Sequence, residues 1–220
     1  MDTPAFATMF SHPPPSEPGS PAWPVALLFP PQGQWTETEY LALQKRSRRL
    51  VELTDGQIEV LSMPNPLHQR IVRYLFRLLE ACVAAIGSGE VFFAPLPIRL
   101  WPGKYRDPDI AFLKPGRISD PYHQPQGADL VVEVVSDNEE DRQRDLETKR
   151  QEYAQAGVAE YWIVDPKTET VVVLTLAGAA YLLHGKFPLG TTATSVLLPA
   201  FTVDVTAVFD AGRGTKSTNG

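Results

Sequence analysis

The sequence predicts a mixed α/β domain with a central mixed β-sheet flanked by helices, an N-terminal hairpin and extra strands near the C-terminal end. Three observations carry the α/β assignment. "DLVVEVV" (129–135) and "EYWIVD" (160–165) are short apolar runs rich in β-branched residues, the composition of strands covered on both faces. Between them a helical pattern runs from about Arg142 to Ala156 and stops at Gly157. A second, longer helical pattern opens at Asn65-Pro66. A right-handed crossover would lay the 142–156 helix back over the strand that carries Glu133.

The remaining elements follow in order. Residues 1–33 hold nine of the 21 prolines and show little apolar periodicity, which reads as a flexible, partly polyproline arm. The folded domain is expected over 34–210. Thr36 and Glu39 form a capping box that opens a short helix to about Arg46. "RLVELTDGQIEVLS" is two strands around Asp55-Gly56, the strongest hairpin signal in the chain. The helix after Pro66 presents Ile71, Leu75, Leu78, Leu79, Cys82 and Ile86 as its buried stripe, with Gly87 closing it. "VFFAPLPIRL" reads as one strand bent or edged by Pro95 and Pro97, and "PDIAFL" as the next. "TVVVLTL", "AAYLLH" and "LLPAFTVDV" supply the late strands, and residues 211–220 a polar, flexible tail.

The chain of 220 residues is long enough for one domain with a substantial core. A net charge of −6 excludes a globally basic nucleic-acid coat protein but not a local basic groove. One cysteine, Cys82, excludes an internal disulfide framework and a cysteine zinc cluster, which fits a reducing compartment. No apolar run approaches the roughly 18 residues of a membrane helix. The N-terminus lacks the basic start and apolar core of a signal peptide, so a cytoplasmic protein with no membrane contact is expected.

Glu133, inside an apolar strand, is the residue that asks for an explanation, because an unpaired buried carboxylate costs several kcal/mol. Asp109 lies near the start of the preceding strand. Neighbouring strands are about 4.8 Å apart, so two carboxylates on one face could share a divalent cation. Mg²⁺ takes one or two carboxylates and keeps several waters, which suits so sparse a set. Lys149 shares a helical stripe with Leu146 and Tyr153, and its stem could carry the ammonium over apolar surface to the carboxylates. Each residue also has a plainer reading: turn chemistry for Asp109, and for Lys149 an ion pair with Asp145 four residues earlier on a solvated face.

"PDIAFL" followed by "DLVVEVVS" resembles the PD-(D/E)xK nuclease core of the restriction-endonuclease-like fold. More narrowly, "ELTDGQIEVLSMPNPLHQRI", "YRDPDIAFL", "LVVEVVS" and "DLETKRQEYAQAGVAEYWIVDP" resemble the Uma-two family over roughly residues 35–209. The resemblance implies a metal-dependent endonuclease using Mg²⁺ or Mn²⁺, with Asp109 and Glu133 as metal-binding acids. The signature lysine position, two residues after the glutamate, is Val135; the resemblance moves that function to Lys149 on the helix. It also makes Glu52 a further acidic position serving metal or water; in a metal-dependent hydrolysis the Val134 carbonyl is expected as a further metal ligand. His68 matches the family's "HQ" and is expected at most to cap or to contact phosphate.

A nuclease needs backbone contacts, which Arg70, Arg73 and Arg77 would supply as a basic stripe along the long helix. "KRSRR" (45–49), Arg142, Arg144 and Arg150 add others; each cluster also reads as an ordinary solvated face. The expected partner is nucleic acid, DNA above all, and double-strand cutting would favour a homodimer. Two alternatives stay open: a catalytically silent module that keeps the fold, and a serine hydrolase using Ser136, around which no G-x-S-x-G elbow is found.

Overall fold

The structure is a computed structural model that describes residues 29–47, 49–136 and 142–214. The proline-rich arm expected over 1–33 lies outside the described residues as far as residue 28, and the tail expected over 211–220 does so from residue 215.

Thr36 caps α1 (Glu37–Gln44), its hydroxyl accepting from the Glu39 amide while the Glu39 carboxylate reaches back to the Thr36 amide, as the capping box predicts. β1 (Val51–Thr54) and β2 (Gln57–Val60) form the hairpin. Asp55 and Gly56 both hold positive φ, 47° and 77°, the pair of left-handed residues such a two-residue turn requires. Gln32 then brackets Ile58 on β2, donating to its carbonyl and accepting from its amide, and the Gly33 amide donates to the Gly56 carbonyl at 2.8 Å. A Cβ at Gly56 would come within 2.6 Å of that Gly33 oxygen. Gly56→Ala is therefore expected to lower stability by about 1–3 kcal/mol, combining strain at positive φ with the clash, as a urea titration would read.

α2 (Pro66–Ile86) starts at Asn65, whose side chain caps the His68 amide, and ends at Gly87 in the left-handed region. Its buried face is His68, Ile71, Val72, Leu75, Leu79 and Val83. That corrects the expected stripe: Leu78 and Cys82 are half-buried flanks and Ile86 is 47% exposed. The 3.6-residue period carries the face through 72, 75, 79 and 83 instead.

β3 (Glu90–Phe93), β4 (Ile98–Trp101), β5 (Lys104–Arg106), β6 (Ile110–Leu113) and β7 (Leu130–Val134) come next. "VFFAPLPIRL" is thus two strands rather than one bent strand, and they belong to different sheets. α3 (Lys149–Gln155), β8 (Glu160–Asp165), β9 (Thr170–Ala177) and β10 (Ala180–Pro188) follow. The main sheet has the order β10-β9-β8-β7-β6-β3, with β7 and β8 parallel and the other pairs antiparallel. A parallel pair needs a crossover, and α3 supplies it. A second, all-antiparallel sheet has the order β2-β1-β5-β4.

The expected last strand is short. β11 (Thr192–Thr194) pairs with β12 (Thr202–Asp204), and Asp204 then caps α4 (Val205–Arg213), accepting from the Thr206 and Ala207 amides. Val205, Val208, Phe209 and Gly212 give α4 its buried face, and Gly212 lets it meet Ile71 of α2 closely. Its last turn therefore extends past residue 210.

The main sheet is buried on both faces. Ile110, Phe112, Val132, Val134 and Trp162 pack under α2 and α4. Ala111, Val131, Val135, Tyr161 and Ile163 pack under α3 with Tyr153 and Ala154. By the two-residue period of a strand, Asp109 and Glu133 belong to this second face.

Candidate active site

β6 and β7 run antiparallel with Ile110 opposite Val132, which places Asp109 opposite Glu133 at the end of the pair. Asp109 Oδ2 accepts from the Val134 amide at 2.8 Å, so the carboxylate continues the ladder where strand pairing stops. His68 Nε2, from the first turn of α2, lies 3.1 Å from the same oxygen. Burial pulls His68 toward its neutral form, but the hydrogen bond to Asp109, the charges of Asp109 and Glu133, and the Val134 backbone together raise its pKa.

Lys149 reaches the sheet from the other side. The segment Arg144–Thr148 is a turn of π-helix: the Lys149 amide donates to the Arg144 carbonyl, five residues back. The widened turn lies where Asp145 and Lys149, 3% and 4% exposed, both face inward. Lys149 Nζ is 2.9 Å from Glu133 Oε1 and 3.0 Å from Asp145 Oδ1. The Tyr153 hydroxyl donates to the same Glu133 oxygen at 2.7 Å. Lys149 thus reaches Glu133 and pairs with Asp145 at the same time, and the Asp145 pair is buried rather than on the solvated face expected for it. Burial pushes the Glu133 carboxyl well above its usual range, Lys149 and the Tyr153 hydrogen bond pulling it back and the charges of Asp109 and Asp145 adding to the rise. Burial also works against the charge on Lys149, but Asp145, Glu133 and Glu52 outweigh it and hold the ammonium firmly protonated.

Asp109, His68, Glu133, Asp145 and Lys149 line a cleft of about 230 Å³ together with Asp107, Ser136 and Arg144. Asp107 lies two residues before Asp109; it accepts from the Leu96 amide, and burial pushes its pKa up to about 7 despite that bond. Glu52 does not line the cleft. Its Oε2 takes Arg106 Nη1 at 2.5 Å and its Oε1 the Asp107 amide at 2.9 Å, so it anchors β1 to β5 directly behind the acids. Arg70, Arg73 and Arg77 lie exposed along α2; Arg70 Nη1 also approaches the Gly212 carbonyl at 3.4 Å. Strand register and helix thus bring Asp109, Glu133, Val134 and Lys149 together, and leave Glu52 beneath the site and the arginines beside it.

The donor set suits a hard divalent cation: Asp109 and Glu133 are oxygen ligands opening on one cleft. Among the described residues no three acidic, histidine or cysteine side chains converge as an all-protein cage would require.

Asp107, Asp145 and Tyr153 escaped the sequence reading. Asp107 had a weak signal, a second aspartate two residues before Asp109 in the link between β5 and β6. Asp145 was seen only as a surface partner of Lys149. Tyr153 read as packing, and nothing in its spacing announces that its hydroxyl faces a carboxylate.

The sheet order and the paired acids define a restriction-endonuclease-like fold. It is shared with a solved structure described as "a putative nuclease belonging to DUF820 from Anabaena variabilis ATCC 29413", with a TM-score of 0.65 at 17% identity, over 80% of this chain and 98% of that one. The chain belongs to the Uma2 family, described as "Putative restriction endonuclease", whose model matches residues 37–206. No curated protein matches it. No helix among the described residues is long and apolar enough to cross a membrane.

Proposed function

We propose that the protein is an endonuclease that hydrolyses phosphodiester bonds of DNA with Mg²⁺ or Mn²⁺ as cofactor. The observation that carries this reading is Lys149 Nζ at 2.9 Å from a Glu133 carboxylate that shares its cleft with Asp109. A silent module would keep Lys149 only as the counter-charge of Glu133, and would have no need of Asp109 opening on the same cleft. The family description and the Anabaena fold support the same reading.

Asp109 and Glu133 would hold the cation, with the Val134 carbonyl as a further donor. When bound, the metal supplies Lewis-acid polarisation of the phosphate and lowers the pKa of a water. The protein's own groups do the rest. The Val134 amide and His68 fix the Asp109 carboxylate, and Tyr153 fixes Glu133. Lys149 orients the attacking water and offsets the negative charge that builds on the phosphoryl oxygens. Asp145 gives the ammonium a second carboxylate partner at 3.0 Å and so holds it beside Glu133.

Supercoiled plasmid incubated with Mg²⁺ or Mn²⁺ is expected to be nicked, and EDTA to abolish nicking. The same metals should raise the melting temperature by roughly 5–10 °C at a hundredfold excess over Kd, because only the native state holds the site. A wild-type protein that neither cuts nor gains stability with metal would be a silent module on this fold.

A further inference from the structure

A second groove, of about 390 Å³, adjoins the cleft. It is lined by Gln69, Arg70, Val72, Arg73, Phe76 and Phe93, and Gln69 lines the cleft as well, so the two openings are neighbours along α2. Phe93 is the last residue of β3, the edge strand of the main sheet, and is 56% exposed. Its ring meets Phe76 edge to face, centroids 4.9 Å apart at 77°, so it is held in place while much of it stays open. Burying it would have been favourable by about 25 cal/mol per Å²; at this position it is left in solvent beside cations.

The register fixes where this ring stands relative to the acids. Phe93 pairs with Ile110, and the Ala94 amide donates to the Asp109 carbonyl at 3.1 Å. Ala94, Asp109 and Glu133 therefore form one row across three adjacent strands at the end of the sheet; Phe93, one residue before that row on the edge strand, turns its ring to the α2 side of the sheet, the face opposite the two carboxylates. Arg73 lies one helical turn from Phe76 on the exposed face of α2. Among the described residues neither Arg73 nor Arg77 makes an ion pair, which leaves both charges available to a phosphate.

We propose that Phe93 is a stacking platform for an unpaired base of the DNA strand being cut, where that strand leaves the cleft along α2, and that Arg73 binds a phosphate beside that base. This rests on the nuclease reading and extends it to substrate form. A base inside a blunt duplex has both faces covered by its neighbours, whereas an aromatic ring at a groove edge binds any unpaired base through its π-face. The substrate class is then single-stranded DNA, or duplex carrying an unpaired flank.

The test separates binding from cutting. Anisotropy of a labelled single-stranded oligodeoxynucleotide in EDTA is measured with wild type, Phe93→Ala, Phe93→Trp and Arg73→Ala, in parallel with metal-dependent cleavage by wild type. Phe93→Ala is expected to weaken single-strand binding by about 5- to 100-fold, the range of one stacked base, and to leave the weaker binding of blunt duplex unchanged. Phe93→Trp should retain binding, its fluorescence quenched by the oligonucleotide. Arg73→Ala should lower the salt slope by about one. Both phenylalanine variants alter an exposed side chain, and unchanged melting curves would confirm that they fold. Equal affinity of Phe93→Ala and wild type, or an unquenched Phe93→Trp, overturns the platform even if wild type cuts. Phe93-dependent binding without cleavage overturns the nuclease reading alone, and a wild type that neither binds nor cuts overturns both.

Discussion

Arg106→Ala is expected to be the most destabilising single substitution in the domain, costing about 3–5 kcal/mol and lowering the melting temperature by roughly 6–20 °C. Arg106 is 1% exposed and serves three glutamates. Its Nη1 bonds Glu52 at 2.5 Å and Glu59 at 2.6 Å, while Nε and Nη2 hold Glu152 bidentately at 2.7 and 2.9 Å. Glu152 also takes Lys104. The guanidinium thereby ties β1, β2 and β5 of the small sheet to α3, the helix that carries Lys149 and Tyr153. Truncation leaves buried carboxylates without their counter-charge, which is why the loss exceeds that of an ordinary ion pair. Arg106→Lys keeps a charge but not the fork, and should fall between wild type and alanine.

The pH dependence distinguishes this electrostatic origin from lost packing. Burial alone would raise Glu52, but Arg106, Lys149, the Asp107 amide and Arg144 overcome it and hold its pKa down to about 2. A depressed folded-state pKa contributes stability that is complete above the unfolded value of about 4.5 and lost as pH falls toward 2. Wild type should therefore lose that contribution on acidification. In Arg106→Ala the buried glutamates prefer protonation, so the variant should gain stability as pH falls from 7 toward 4. Thermal melts across pH 3–7 check this; parallel curves for the two proteins would assign Arg106 a packing role only.

The elements with local signals were legible. Thr36 with Glu39, Asp55-Gly56, Asn65-Pro66 and Gly87 each declare a cap or turn through chemistry confined to a few residues. The two-sided strands around Glu133 declare themselves by β-branched composition. β5 was invisible because its "KYR" places Lys104 and Arg106 in the interior, which only partners distant in sequence make tolerable. α4 was hidden behind β-branched Val203, Val205 and Thr206, although Asp204 followed by Val205, Val208, Phe209 and Gly212 is a cap and a helical stripe. Within the site, Glu133 and Lys149 were legible for one reason: each is a charge on an apolar face. Glu52 carries the same anomaly, yet its partner Arg106 lies 54 residues on, and no local pattern says whether a buried acid will meet a metal or an arginine.

Lys149→Ala is expected to separate metal binding from turnover. Removing the ammonium leaves Glu133 and Asp145 buried without it, and a divalent cation is then the strongest compensation on offer. Metal should therefore stabilise Lys149→Ala at least as much as wild type, while plasmid nicking falls by about 10²–10³, the usual cost of losing one preorganised charge at a transition state. Asp109→Ala should lose both the metal-induced stabilisation and the nicking, and Glu133→Gln likewise. Tyr153→Phe removes a single hydrogen bond to Glu133 Oε1, so about 1 kcal/mol, or a roughly fivefold loss of rate, is expected with metal binding nearly intact. Lys149→Arg keeps the charge, but its planar fork does not reproduce a compact ammonium held between two carboxylates, and little activity should return. Nicking by Lys149→Ala at the wild-type rate would remove the lysine from the chemistry and leave it a counter-charge of the apo site, with Asp109 and Glu133 still to be judged by their own variants.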